Sequence, residues 1–124
     1  MLLVKTYLDK STIEGIGVFA NEFIPKGTVI WRFNSHLDRI LYEQDTFSKL
    51  EWEFLNRYAY YDKQLNNWIL PADNDRFTNH SDNPNTGPEK EDVIALKDIQ
   101  KGDEITIDYF NIDRYSDQKL EPRR

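Results

Sequence analysis

The chain has 124 residues, 39% of them apolar and 31% charged, with a formal net charge of -6 and no cysteine. Its length and composition predict a single domain, residues 1–124, that folds unaided, and they exclude a disulfide framework and a thiolate nucleophile. The acidic balance argues against nucleic-acid binding and favours a cationic partner, while two histidines without cysteine argue against a metal site.

No apolar stretch approaches the roughly 20 residues that cross a bilayer. The segment 1–5 is too short and too soon charged for a signal peptide. We therefore expect no membrane partner and a cytoplasmic location, or a nuclear one in a eukaryote.

The first quarter of the chain alternates predicted strands and turns. Residues 2–8 are apolar and β-prone, and 9–11 are turn formers. The stretch 15–20 begins with a Gly-x-Gly motif, which also occurs in phosphate-binding loops. No third glycine or helix follows, so we predict a tight turn in which any ligand contact comes from close approach of the backbone. Another strand, 28–33, follows the turn 24–27.

The segment 18–30 is repeated in the segment 93–105, with six of thirteen positions identical at a constant offset of 75. The identical pairs are Val18 and Val93, Ala20 and Ala95, Ile24 and Ile99, Lys26 and Lys101, Gly27 and Gly102, and Ile30 and Ile105. Each copy contains a strand, a four-residue turn and a second strand. The repeat predicts two similar β units that face one another, since a solenoid needs more copies. Chance likeness of two hairpin-like units is the alternative, because few turn chemistries exist.

One helix is predicted between the two copies. Residues 48–51 match a capping box, in which Ser and Glu side chains satisfy backbone N–H groups at a helix start. Leu50, Phe54, Leu55 and Tyr58 follow at helical spacing and share one face. This pattern predicts a helix over 47–58 whose apolar face packs in the core.

Three tyrosines, at positions 58, 60 and 61, lie at the end of this helix. They exceed what packing requires, although partly buried rings with hydroxyl groups in water would also explain them. The turn 66–67 then leads into a short strand at 68–70 ahead of a proline.

The stretch 76–85 is dense in side chains that favour turns. Asn, Asp and Ser form hydrogen bonds with their own backbone, and Pro84 keeps Asn83 out of the helical region. We predict a compact, fixed loop that presents amide, imidazole and carbonyl groups in defined directions, a surface of the kind that can hold a small polar ligand. A surface turn with a chance histidine is the alternative.

The stretch 102–110 is the last informative one. Ile105 and Ile107 alternate with polar residues, which predicts a half-buried strand that ends in Asp108 and Tyr109.

Four motifs occur here in the order of a known family: 15–20, 24–27, 76–85 and 102–109. On these motifs the chain resembles the SET domain, the fold of protein-lysine methyltransferases, and is most similar to small stand-alone proteins of the bacterial type. The resemblance implies a mostly β fold of the β-clip kind, with short twisted sheets, one short helix and a C-terminal pseudoknot. It assigns the core motifs to 15–109 and leaves 110–124 as a closing segment or tail.

The resemblance also implies a site. S-adenosylmethionine would bind on one face, and a substrate lysine would enter a narrow channel from the opposite face. The residues implied for the cofactor are Ile16, Gly17, Tyr58, Phe77, Asn79 and His80. Tyr109 is the implied catalytic residue, and Tyr60, Phe110 and Tyr115 would line the channel.

The chemistry that this site must perform begins with a lysine amine, whose ordinary pKa is about 10.4 and which must lose a proton before it can attack a methyl group. An aromatic channel disfavours the charged ammonium by desolvation and orients the nitrogen. A tyrosine hydroxyl, with an ordinary pKa of about 10, is a poor base at pH 7. We therefore expect Tyr109 to position and stabilise the reacting groups.

These observations favour an S-adenosylmethionine-dependent methyltransferase that acts on a lysine of a basic protein or peptide, without direct nucleic-acid contact. The alternatives are a non-catalytic β-clip module that binds a peptide or the cofactor, and a methyltransferase for small amines. Homodimerisation is left open. The chain lacks the cysteine-rich closing segment of many SET methyltransferases, so residues after Asn111 or another subunit must close the channel.

Overall fold

The computed structural model describes residues 1–41, 46–62 and 65–112. Within them, no helix has the length and apolar character needed to cross a membrane. The strands are β1 (Thr6–Lys10), β2 (Ile16–Ala20), β3 (Val29–Arg32), β4 (Arg39–Leu41), β5 (Tyr60–Asp62), β6 (Asn67–Leu70), β7 (Asn79–His80), β8 (Thr86–Glu89), β9 (Asp92–Ala95) and β10 (Glu104–Ile107). The helices are α1 (Lys49–Tyr58), a 3₁₀ helix (Asn74–Phe77) and a single turn, α2 (Tyr109–Ile112).

Two sheets contain these strands. The larger has the order β1-β2-β10-β8-β9-β3, with β7 also paired to β10, and the smaller has the order β4-β6-β5. Strand β10 is antiparallel to β2 and parallel to β7 and β8. Because β2 and β7 share this neighbour, the glycine motif and the Asn79 strand lie close together although they are far apart in sequence.

The two copies of the repeat face one another, as predicted, and exchange equivalent hydrogen bonds. Ile24 and Ile99 each donate an N–H to the carbonyl of the other, at 2.9 and 2.8 Å. The N–H of Gly27 binds the carbonyl of Ala95 at 2.8 Å, and the equivalent bond in the other direction joins Gly102 to Ala20 at 2.8 Å. Each copy therefore provides hydrogen-bond acceptors for backbone N–H groups of the other.

The repeat also supplies the main core. The buried members of this cluster all belong to the two copies: Val18, Ala20, Ile24, Ile30, Ala95, Ile99 and Ile105. Their exposed fractions are 2% or less. The two turns need glycine for a conformational reason, since Gly27 and Gly102 adopt φ angles of 89° and 96°, which residues with a side chain rarely adopt.

The start of the chain differs from the prediction of one strand over 2–8. Leu2 forms only a single bridge, with Trp31, and the regular pairing with β2 begins at Thr6 and continues to Lys10. The chain leaves β3 after its first residues and joins β2, so one straight strand cannot make both contacts. The predicted turn at 9–11 lies later, where the N–H of Ser11 binds the carbonyl of Gly15 at 2.8 Å.

Helix α1 begins as predicted and packs differently. The capping box is present, because Ser48 accepts from the N–H of Glu51 while the Glu51 carboxylate accepts from the N–H of Ser48. The prediction that the whole apolar face lies in the core was wrong, since Leu50 is 76% exposed and Phe54 is 42% exposed. Only Leu55 is buried, against Leu41 and Ala59. The small sheet therefore covers only the part of the apolar face around Leu55 and leaves Leu50 and Phe54 exposed.

Candidate functional site

A cleft of about 260 Å³ lies where the glycine motif meets α1 and the 3₁₀ helix. Its lining residues are Glu14, Gly15, Ile16, Arg57, Tyr58, Phe77 and Asn79. Four residues predicted for the cofactor, Ile16, Tyr58, Phe77 and Asn79, are thus brought together in one concave surface. The rings of Tyr58 and Phe77 are in edge contact, with centroids 5.5 Å apart.

Asn79 is 2% exposed and fastens the glycine motif to the sheet. Its side-chain Nδ2 donates to the carbonyl oxygen of Glu14 and to Oε2 of Glu104, both at 3.0 Å. Its Oδ1 accepts no hydrogen bond from the described residues. The acceptor atom of this amide is therefore the one available to a ligand in the cleft.

Glu104 supports this arrangement from β10. Its two carboxylate oxygens accept from the Ser11 hydroxyl at 2.8 and 2.9 Å. A Cβ atom at Gly17 would lie 2.4 Å from Glu104 Oε2, which is closer than atoms can approach. Gly17 is therefore needed to make room for a carboxylate, rather than for a positive φ angle, and it does not line the cleft.

His80 does not line the cleft either. Its Nδ1 accepts from the backbone N–H of Tyr109 at 3.1 Å, so the proton is on Nε2, which donates to Asp82 at 2.8 Å. Both ring nitrogens therefore have partners within the protein. A contact between His80 and a cofactor stays a prediction, and in this arrangement it would come from the backbone of β7.

A second cavity, of about 50 Å³, lies on the other side of Tyr58. Its aromatic lining consists of Trp31, Tyr58, Tyr60 and Tyr109, and the rest combines apolar core side chains with the polar residues Arg57, Asp75, Arg76, Thr78 and Thr86. Tyr109 is 8% exposed, and its hydroxyl donates to the carbonyl of Thr78 at 2.7 Å. This bond fixes the tyrosine oxygen in the cavity wall.

Arg57 and Tyr58 line both the cleft and the cavity. The guanidinium of Arg57 lies 5.7 Å from the centre of the Tyr58 ring. The two spaces are therefore neighbours that share one wall, at the end of α1.

The cavity contains two polar groups that the sequence did not single out. The indole N–H of Trp31 is buried and has no hydrogen-bond partner among the described residues. Asp75 is partly exposed as a residue, and desolvation by the surrounding protein raises the pKa of its carboxyl group to about 7. The carboxylates of Asp73 and Asp38 act in the same direction.

The remaining channel residues are placed differently. Phe110 is 50% exposed, contacts the His80 ring edge-on at 5.7 Å and does not line the cavity. Tyr115 lies outside the described residues, so its channel role stays a prediction. Arg76 donates to the carbonyl of Pro71 from Nε and Nη2, at 3.2 and 2.8 Å.

A family model, the SET domain, matches residues 15–110. The chain belongs to the SET domain family. The match covers the glycine motif, both turns of the repeat, Asn79 and Tyr109, so every residue around the cleft and the cavity except Glu14 lies within the SET domain.

Curated relatives include two proteins named histone-lysine N-methyltransferase, H3 lysine-36 specific. The one from Kluyveromyces lactis is 30% identical over 90% of this SET chain, and the one from Debaryomyces hansenii is 28% identical over 88%. The chain spans only 18% and 16% of the length of these relatives.

Solved structures agree on the fold. A crystal structure of a candidate histone methyltransferase from Plasmodium falciparum is 30% identical, with a TM-score of 0.62, and covers 87% of this SET chain and 95% of that one. The ctPRC2 complex bound to S-adenosylmethionine matches 98% of this chain and 17% of its own, with a TM-score of 0.64. At 21% identity, this second likeness supports the SET fold alone.

Proposed function

We propose that this chain is the catalytic domain of an S-adenosylmethionine-dependent protein-lysine N-methyltransferase. The observation that supports this most directly is the shared wall: a cleft of about 260 Å³ and an aromatic cavity meet at Arg57 and Tyr58. A methyl donor in one and an amine in the other would be neighbours. All residues that line the two spaces, except Glu14, lie within the family match.

The cleft fits the cofactor in the chemistry of its lining. Tyr58 and Phe77 offer aromatic surface for an adenine ring, Asn79 offers an unpaired Oδ1, and Arg57 offers a cation for a carboxylate. The cofactor, when bound, supplies a methyl group on a positively charged sulfur.

The residues of the cavity would prepare the amine. Aromatic walls exclude water, which disfavours an ammonium relative to a neutral amine. Tyr109, whose hydroxyl group is held by its bond to Thr78, lines the cavity and can orient the N–H groups of that amine. This arrangement supplies orientation and electrostatic stabilisation without requiring tyrosine to act as a base.

The proposed substrate is a basic protein segment, with histone H3 as the first protein to test. Two observations support this choice: the net charge of -6, and relatives whose names specify H3 lysine-36. A cytoplasmic or nuclear location and a homodimer stay predictions.

The test compares the wild type with Tyr109→Phe, and with Tyr7→Phe as a matched control on β1. Single-turnover methylation of recombinant histone H3 should fall by ~10²-fold in Tyr109→Phe, equivalent to about 2.7 kcal/mol, and stay unchanged in Tyr7→Phe. The rise in melting temperature with S-adenosylhomocysteine should be the same in all three.

Each alternative predicts a different result. A wild type that is stabilised by S-adenosylhomocysteine and methylates no protein would be a binding module or a small-amine enzyme, and methylation of free amines would separate these two. Full activity in Tyr109→Phe would exclude the hydroxyl group from the mechanism.

A further inference from the structure

The aromatic cavity has an ionisable carboxyl group in its lining, which packing alone does not explain. Asp75, on the 3₁₀ helix, and Tyr109 both line it. Thr78 joins the two, because its hydroxyl donates to Asp75 Oδ1 at 3.2 Å while its carbonyl accepts from the Tyr109 hydroxyl at 2.7 Å. A carboxyl group and the predicted catalytic tyrosine thus belong to one hydrogen-bonded group in one cavity.

The carboxyl group of Asp75 has few partners. It forms no salt bridge with any Lys or Arg that the structure describes, and the Thr78 hydroxyl is its one side-chain donor there. The Met1 amino group is the one cation among the causes of its pKa shift, and desolvation outweighs it, so a structural role alone explains this carboxylate poorly. Trp31 also lines the cavity, and its buried indole N–H has no hydrogen-bond partner among the described residues.

Resting on the proposed function, we propose that Asp75 accepts the proton that the substrate ammonium must lose before methyl transfer. The proton passes from the substrate nitrogen to a carboxylate oxygen, which leaves a neutral amine and a carboxylic acid. The nitrogen keeps the electron pair and becomes the nucleophile. The acid returns its proton to water once the product has left the cavity.

The surroundings favour this transfer. Where the surroundings exclude water in part, an amine and a carboxylic acid are favoured because both are neutral, whereas the ammonium and carboxylate are two partly desolvated ions. Desolvation lowers the pKa of an entering lysine, while burial has already raised the pKa of Asp75 to about 7, so the two values converge.

Other charges face Asp75 from the elements around it. Asp73 and Asp38 raise its proton affinity, and the Met1 amino group lowers it. Arg57 and Arg76 also line the cavity, but neither arginine is among the charges that shift the pKa of Asp75.

The test measures single-turnover methylation of recombinant histone H3 at pH 7, 8 and 9 for the wild type, Asp75→Asn and the surface control Asp92→Asn. Asp75→Asn should be slower by at least about ten-fold at pH 7, as expected for loss of a general base. The deficit should shrink to less than about three-fold at pH 9, because water deprotonates more lysine as the pH approaches 10.4. Asp92→Asn should match the wild type throughout.

The melting temperature and its rise with S-adenosylhomocysteine, measured in parallel, show whether each variant is folded and binds the cofactor product. Asp75→Ala serves as a second variant and should show the same recovery with pH. A rate within about three-fold of the wild type at pH 7, a deficit that is constant from pH 7 to 9, or loss of the thermal shift would each overturn the role of Asp75. If the wild type methylates no protein at any pH, the proposed function fails, and this inference fails with it.

Discussion

The two copies of the repeat and the segment between them contain similar apolar residues but bury them differently. In the copies, Ile24 and Ile99 are at most 1% exposed, and each lies against the other. In the segment between, Leu50 is 76% exposed, although it lies on the apolar face of α1. An apolar residue is buried when the fold provides a surface to cover it, and a repeat provides that surface in its own second copy.

The largest expected effect is on the repeat. Ile24→Ala or Ile99→Ala should each lower the free energy of unfolding by about 2 to 5 kcal/mol, because each leaves a cavity in the closed core. Urea unfolding measures this loss. The double variant should differ from the sum of the two, because the residues are in contact. Additive effects would show that the copies do not depend on each other.

The next effect concerns the buried acid of the intervening segment. The folded-state pKa of Asp75 is raised from 3.8 to about 7, so between about pH 4 and pH 7 the folded state binds the proton and the unfolded state does not. Stability therefore falls as the pH rises through this window. Asp75→Asn should remove this fall. Its free energy of unfolding should exceed that of the wild type by on the order of 2 kcal/mol at pH 8 and differ little from it near pH 3.5.

Asp92 serves as a control, because its pKa is lowered and its effect on the pH dependence of stability is opposite to that of Asp75. The Arg32 guanidinium hydrogen-bonds to Asp92 and lowers the pKa of that carboxyl, so its contribution to stability is present at neutral pH and is lost on acidification. Thermal unfolding from pH 3.5 to 8 measures both slopes. An Asp75→Asn variant that kept the wild-type pH dependence would contradict the assigned pKa.

The smallest effect is expected on the exposed face of α1. Leu50→Ala should change the free energy of unfolding by no more than about 0.5 kcal/mol, whereas Leu55→Ala on the same helix should cost about 2 kcal/mol or more. Chemical denaturation of the two variants side by side measures the contrast. A large loss in Leu50→Ala would mean that this face is covered in solution.

Much of the fold could be predicted because the sequence patterns that determine it are either local or repeated in the chain. The capping box at Ser48 and the paired glycines at 27 and 102 depend on residues a few positions away, and the core followed from one offset between two segments. The extent of the first strand could not be predicted, because it depends on which neighbour, β3 or β2, each residue meets.

The positions of candidate site residues could be predicted where a residue belongs to a recognised motif. They could not be predicted where the role of a residue depends on a partner that is distant in sequence. Asn79 and Tyr58, which the resemblance implied for the cofactor, line one cleft, and their binding of the cofactor stays a prediction. The need for Gly17 depends on Glu104, 87 positions later, and nothing near Gly17 indicates that carboxylate. Asp75 precedes the 76–85 loop as one acid among several, and its enclosure depends on the tertiary packing.

The reciprocal hydrogen bonds between the two turns also affect how the chain folds. Gly27 cannot bind Ala95, nor Gly102 bind Ala20, until the whole intervening segment has been closed into a loop. Closing a long loop costs entropy before any of these contacts forms, and chains dominated by such pairings fold slowly. Each turn has one internal backbone bond, Thr28 to Pro25 and Asp103 to Gln100, but the N–H groups of Gly27 and Gly102 find their partners only in the other copy, so a chain cut between the copies would need both fragments to satisfy them.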